Sequence, residues 1–364
     1  MAGAPRVVGV LLMFASAHGW AGESSDALST GAENGTEVRL YRTQAERREV
    51  GVKRRITPWL NLSGLVEIDL FREEYHWEKG HEREIERQRS VNVQLDLVAA
   101  PASGGVQGEL VVEYDTEAGR TIIDEGILAL ESDPWELEIG MQYTPFGEYI
   151  SHFATGPLVE FGETRAPALL ISYSADEQLD SAVSLYRSSA RYASEEDRLN
   201  LAFAVSTWVT DSIALGLSYQ SDLGDSDARL PRTGGDRRRG RVPGLGGYLL
   251  ATLDRYEFTL EILGATRAFP ELPPGTDRPW AWNLELVHFP GPTWEWALRL
   301  EGSRELRDKP RIQVGGAVTW RIGNRASLTL EYLHGWMDPD IGLPDDAVGY
   351  RSVDRLGTQL SIAF

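Results

Sequence analysis

Trp294-Glu295-Trp296-Ala297-Leu298-Arg299-Leu300-Glu301 alternates large apolar residues with charged or small ones, and this period of two decides the fold. Successive side chains of a strand point to opposite faces, so the stretch has one apolar and one polar face. The pattern recurs along the chain. Trp135, Leu137, Ile139, Met141 and Tyr143 alternate with Glu136, Glu138, Gly140, Gln142 and Thr144. Leu60, Leu62, Val66, Ile68 and Leu70 oppose Asn61, Ser63, Glu67 and Asp69, and the chain closes with Leu356, Thr358, Leu360, Ile362 and Phe364 against Gly357, Gln359, Ser361 and Ala363. Each apolar face is about five residues long, which suits a tilted strand of about 9–11 residues crossing a bilayer.

Segments of this kind fall near 59–70, 89–99, 106–115, 121–131, 135–145, 166–175, 179–190, 198–208, 212–221, 243–254, 256–266, 280–289, 293–303, 311–321, 326–336 and 353–364. The connections between them alternate. Tight turns such as Ser132-Asp133-Pro134, Asp254-Arg255 and Pro290 to Pro292 exchange with long intervals at 71–88, 146–165, 222–242, 267–279 and 337–352. Antiparallel barrels with short turns at one end and longer loops at the other require that alternation. Aromatic residues mark both ends: Trp59, Trp135, Trp208, Trp294 and Trp320 beside tight turns, Tyr114, Tyr143, Tyr219, Trp280 and Trp336 beside long loops. They read as two interfacial girdles. The expectation is an all-β chain whose residues 57–364 form a transmembrane antiparallel β-barrel of about sixteen strands.

Composition excludes several other classes. The 364 residues carry 55 acidic and 36 basic side chains, a formal net charge of −19, which repels phosphate backbones and argues against nucleic acid as a partner. A hydrophobic fraction of 42% with a mean hydropathy of −0.29 leaves no room for a bundle of apolar membrane helices. Cysteine is absent, so disulfides, thiolate nucleophiles and cysteine-ligated metals are excluded.

At the N-terminus, Arg6 precedes the apolar run Val7 to Ala15 and the small residues Ala17, Gly19 and Ala21, the order of a secretory signal. Residues 1–21 are read as that signal, and 22–56, polar and without alternation, as a periplasmic segment ahead of the barrel. Bacterial outer membrane is the expected location.

A barrel of this size is too wide for side chains to fill, so an aqueous lumen follows and passive solute passage with it. The face assigned to the lumen is acidic, with Glu67, Asp69, Asp96, Glu109, Glu113, Glu125, Glu136, Glu138, Glu257, Glu261, Glu285, Glu295, Glu301 and Glu331 against chiefly Arg299 and Arg321. Such carboxylates favour cations. The opposite charge gathers in one long loop, where Arg229, Arg232, Arg237, Arg238, Arg239 and Arg241 could capture a carboxylate or a phosphate of a solute or of lipopolysaccharide.

The interval 146–165, after the fifth segment, contains Pro145-Phe146-Gly147, then Gly156-Pro157-Leu158, then Gly162-Glu163-Thr164-Arg165. Its glycines and prolines suit a tightly folded loop, and Glu163 with Arg165 supplies both charges at its end. This arrangement resembles the LbtU-type siderophore porin family, in which a Phe-Gly pair leads through Pro-Leu to Gly-Glu-Thr-Arg. Ala154 to Gly156 stand where that family has Ser-Asp, and the N-terminal region is shorter. The resemblance implies uptake of iron–siderophore complexes. Similarity to general porins implies that the loop folds inward as a constriction lined by Pro145, Phe146, Gly147, Pro157, Leu158, Gly162, Glu163, Thr164 and Arg165.

No catalytic, cofactor or metal site is read from the sequence. His18, His76, His81, His152, His288 and His334 have no ligand spacing, and the Gly244 to Gly247 stretch lacks the Lys of a phosphate loop. A surface-interaction barrel and, more remotely, a Ser-His barrel hydrolase using His334 are the alternatives to a channel. The expected partners are outer-membrane lipid and lipopolysaccharide, small solutes or iron–siderophore complexes, and the barrel-assembly machinery, which would read Phe364 as a terminal aromatic signal.

Overall fold

The computed structural model describes residues 54–77, 83–100, 105–116, 119–175, 178–188, 199–226, 230, 240–306, 309–338 and 349–364. The segment assigned to a signal, and 22–53, lie outside these residues, as do Arg229, Arg232 and Arg237 to Arg239. A short strand β1 (Arg54–Thr57) precedes sixteen longer ones. These are β2 (Leu60–Trp77), β3 (Arg83–Ala99), β4 (Val106–Asp115), β5 (Arg120–Ser132), β6 (Trp135–Tyr143), β7 (Arg165–Ala175), β8 (Leu179–Arg187) and β9 (Leu199–Thr210). They continue as β10 (Ile213–Gln220), β11 (Gly244–Leu253), β12 (Tyr256–Ala265), β13 (Trp280–Gly291), β14 (Trp294–Arg304), β15 (Ile312–Ile322), β16 (Ala326–Trp336) and β17 (Tyr350–Ala363).

Every neighbour in sequence is an antiparallel neighbour in the sheet, and β17 pairs with β2, so β2–β17 close into a barrel without free edges. At the seam Phe364 and Gly64 exchange both backbone hydrogen bonds, each 2.9 Å. The Phe364 ring lies over Gly64, where an added Cβ would stand 2.4 Å from a ring atom. A terminal aromatic and a glycine thus form one closing contact. Beyond it β1 pairs with β2, Arg54 opposite Leu62.

Burial is inverted relative to a water-soluble protein, as the alternation predicts. On β14 Leu298 is 62% exposed on the outside, while Glu295 and Arg299 are 3% and 1% exposed on the inside. Large apolar side chains thus form the outer surface of the barrel and polar ones its interior. Trp294 and Trp320 stack with ring centroids 6.0 Å apart at the tight-turn end, and Trp336, Tyr332 and Tyr114 are exposed toward the other end.

One interval departs from the sequence expectation. Residues 71–88, read as a long loop, continue β2 and β3 as a paired ribbon from Phe71↔Gln88 to His76↔Arg83, and β17 joins it as far as Tyr350↔Trp77. Apolar alternation stops at Leu70, yet the backbone pairing continues, because strand pairing by itself requires no apolar face. Cross-strand charges stabilise it instead: Arg83 lies 2.8 Å from Glu74, and Arg355 pairs with Glu73. Single exposed pairs of this kind contribute under about 1 kcal/mol each, so the pairing of the three backbones carries most of the order.

Candidate functional site

Between β6 and β7 the chain does not stay at the rim. Its neck is closed by Thr144 N–H donating to the Thr164 carbonyl (2.9 Å), and Gln220 of β10 spans both hydroxyls, accepting from Thr144 (3.1 Å) and donating to Thr164 (2.9 Å). From there the loop runs inside the barrel. Gly147 turns it with φ +80°, a region that side chains rarely adopt, and Tyr149 folds back so that its hydroxyl donates to the Phe146 carbonyl (2.6 Å). Phe146, Tyr149, Ile150, Phe153, Leu158, Val159 and Phe161 are all buried. Ile150 rests on Ala214 and Leu250, and Phe153 on Val287, Phe289, Ala297 and Leu333. The small inward residue Ala214 leaves room that a large one would fill.

A loop without regular structure has backbone N–H groups that need partners once buried. Here they are found in wall carboxylates. Glu261 of β12 accepts from Glu148 N–H (2.8 Å) and Tyr149 N–H (2.9 Å); Glu285 of β13 accepts from His152 N–H (2.9 Å). Glu301 of β14 accepts from Leu158 N–H (2.6 Å), and Glu331 of β16 accepts from both the N–H (3.1 Å) and the hydroxyl of Thr155. Charge-assisted bonds of this type are roughly twice as strong as neutral ones. The series runs across β12, β13, β14 and β16 and fastens the loop to that side of the wall.

Three cationic side chains complete the arrangement. His152, at the middle of the loop, places Nδ1 2.6 Å from Glu295 and Nε2 3.0 Å from Glu257. Burial opposes charge on the imidazole, but Glu295 and then Glu257 outweigh it and hold the pKa well above the ordinary histidine value. Both ring nitrogens thus face carboxylates, an arrangement that favours the doubly protonated ring. Arg299 lies 2.8 Å from Glu285 and 3.5 Å from Glu301, donates to the Thr155 carbonyl (3.0 Å) and to the Ser151 hydroxyl, and covers the Phe153 ring at 4.1 Å. Arg321 joins from β15, 3.0 Å from Glu295.

The expected site residues separate accordingly. Pro145, Phe146, Gly147, Pro157, Leu158, Gly162, Glu163 and Thr164 belong to the inserted loop or its neck. Arg165 does not line it. It opens β7 opposite Tyr143, on the face of the outward apolar series, and its guanidinium lies 2.5 Å from Asp124, the extra residue of a bulge in β5. Of the acidic residues, Glu261, Glu285, Glu301 and Glu331 are committed to the loop. Glu67, Asp69, Asp96, Glu109 and Glu113 lie on β2–β4, where Asp69 accepts from Ser90 (3.2 Å) and Gln359 (2.7 Å), and Asp96 from Ser63 (3.1 Å). Glu67, Asn92, Gln94, Glu109 and Glu113 are partly exposed on this inner wall, so the free lumen borders β2–β4. Glu136 and Glu138 are buried on β6. Arg241 is partly exposed and donates to the Leu199 carbonyl (2.6 Å).

His152, Gln220, Ser151, Arg355 and Asp124 have no signal in the sequence that marks them for these contacts. His152 meets carboxylates from two other strands more than 100 positions away, as the pairs with Glu257 and Glu295 show. Among the described residues no cluster of His, Cys, Asp or Glu is arranged to hold a metal ion.

No protein-family model matches the chain, and no curated protein matches it in sequence. Solved structures do match in shape. The anion-selective porin from Comamonas acidovorans aligns over 84% of this chain and 99% of its own with a TM-score of 0.60 and 8% identity. A variant of the Rh. blastica porin aligns over 84% and 100% with a TM-score of 0.52 and 11% identity. The chain has the fold of a porin-like sixteen-stranded barrel.

Proposed function

We propose that this protein is an outer-membrane channel for the passive uptake of small solutes, exported by the signal in residues 1–21, with the loop between β6 and β7 as its constriction and a preference for cations. The observation that carries the reading is the division of the lumen. The loop is bonded to β10, β12, β13, β14 and β16, and the wall it leaves uncovered bears Glu67, Asp69, Asp96, Glu109 and Glu113, of which the three glutamates are partly exposed. A narrow passage between low-dielectric walls focuses such a field. The Comamonas porin is described as anion-selective; the sign of the free wall here supports the reverse preference.

The test is the reversal potential of the reconstituted protein across a potassium chloride gradient. Cation preference is expected at low salt, weaker at about 1 M where screening shortens to roughly 3 Å. Replacing Glu109 and Glu113 by Gln should lower it. Anion preference in the parent protein would overturn the reading of the free wall.

An iron–siderophore complex is the finer cargo within this reading, supported by the likeness of Phe146-Gly147, Pro157-Leu158 and Gly162 to Arg165 to LbtU-type siderophore porins. Uptake of a labelled iron–siderophore complex into proteoliposomes, set against a sugar of similar size, tests it. Equal rates would leave a general channel.

A further inference from the structure

Above the barrel, the β17–β2–β3 ribbon turns a cluster of rings toward the axis of the lumen. Tyr350 lies between Tyr75 and Trp77, with ring centroids 4.7 Å and 4.6 Å away and interplanar angles of 39° and 53°. Trp77 and Tyr75 continue, two residues at a time, the inward series Glu67, Asp69, Phe71 and Glu73 of β2; Tyr350 stands opposite Trp77 across a register shift in β17. The rings are held from their polar ends. Tyr350 donates its hydroxyl to Glu84 (2.5 Å), and Tyr75 donates to Glu73 (2.7 Å). All three are partly exposed, and Glu84 and Glu86 are exposed beside them.

The charges here are one-sided. Arg355 pairs with Glu73, and Arg83 pairs with Glu74 on the opposite face of the ribbon. Glu84 receives a neutral hydroxyl, which leaves its charge in place, and Glu86 faces Glu73 across the strand pair. Aromatic faces carry negative quadrupole charge and attract cations, most strongly at tryptophan. A hydrated metal ion gains little from rings, an anion is repelled by the carboxylates, and a neutral ring gains nothing from them.

We propose that Tyr75, Trp77 and Tyr350, with Glu84 and Glu86, form a docking site for an organic cation at the loop end of the barrel. Phe71, Asp69 and Glu67 follow it down the same face of β2 toward the acidic lumen wall. The site takes its purpose from the channel reading, whereas binding itself does not depend on it.

The experiment titrates benzyltrimethylammonium into the purified full-length barrel in detergent, followed by tryptophan emission and calorimetry. Benzyl alcohol and benzoate serve as the neutral and anionic counterparts. Saturable binding of the cation is expected, with both counterparts at least about tenfold weaker. Trp77→Leu combined with Tyr350→Leu should lower affinity about tenfold in protein that keeps its heat-modifiable mobility. Glu84→Gln keeps an acceptor for the Tyr350 hydroxyl, removes the charge and should weaken binding severalfold; it decides the matter alone if the double variant fails to assemble. Equal affinity for benzyl alcohol, or an unchanged affinity in Glu84→Gln, overturns the site. Protein that binds the cation but carries no current in a planar bilayer keeps the site and overturns the channel. Protein that conducts without binding does the reverse.

Discussion

Glu257, Glu261, Glu285, Glu295 and Glu301 on β12–β14 lie beneath the inserted loop, while Glu67, Asp69, Asp96, Glu109 and Glu113 lie on the inner faces of β2–β4 away from it, the two aspartates buried and the three glutamates partly exposed. The two groups consist of the same residue types on the same face of the same kind of strand. On the first side the carboxylates accept backbone N–H groups of the loop and are balanced by His152, Arg299 and Arg321. On the second they meet serine and glutamine side chains and water-exposed space. An acidic residue on an inward face is therefore a fastening or part of a field according to what stands opposite it. Because a buried carboxylate without partners is costly, the covered side depends on its cations far more than the open side depends on any single charge.

The largest separation of the two sides is expected from shortening residues 148–161 while keeping Pro145 to Gly147 and Gly162 to Arg165. The open wall is untouched, and single-channel conductance and the size limit for sugars in liposome swelling should both rise. If a shortened protein that assembles normally conducts and discriminates like the parent, the loop does not limit the passage.

A smaller effect is expected from Arg299→Met, which leaves Glu285 and Glu301 buried without their shared cation. Removing one partner of a buried pair typically costs about 3–5 kcal/mol. The loss should appear as a lower temperature for heat modification and as greater current noise. Glu109→Gln on the open side should change neither. Equal shifts in both variants would remove the distinction between the walls.

The smallest effect is a pH dependence. The His152 pKa is raised in the folded protein, so its contribution is complete at and below the ordinary histidine range and is lost as pH rises through the raised value. Current noise should be flat from mildly acid to neutral solution and should increase only in clearly alkaline solution. His152→Gln should abolish that alkaline rise. Noise that increases between mildly acid and neutral pH would show that the imidazole titrates near its ordinary value.

Much of the barrel is legible along the chain because one rule holds on every strand. Leu298 and Leu300 lie on the outer surface, Arg299 and Glu301 on the inner one, and a period of two follows from strand geometry alone. Tight turns, long loops and aromatic ends are local as well. The extension of β2 and β3 past Leu70 is not legible, since a ribbon held by backbone pairing needs no apolar face to mark it. Nor could the sequence separate Glu261 from Glu109: both alternate with apolar neighbours on inward faces. That Arg165 would pair with Asp124 on β5, and that His152 would meet Glu257 and Glu295, depends on a bulge, a register and a loop path. Alternation fixes which way a side chain points; closure of the sheet and the route of one loop through its interior decide what that side chain finds there, because those partners come from strands distant in sequence.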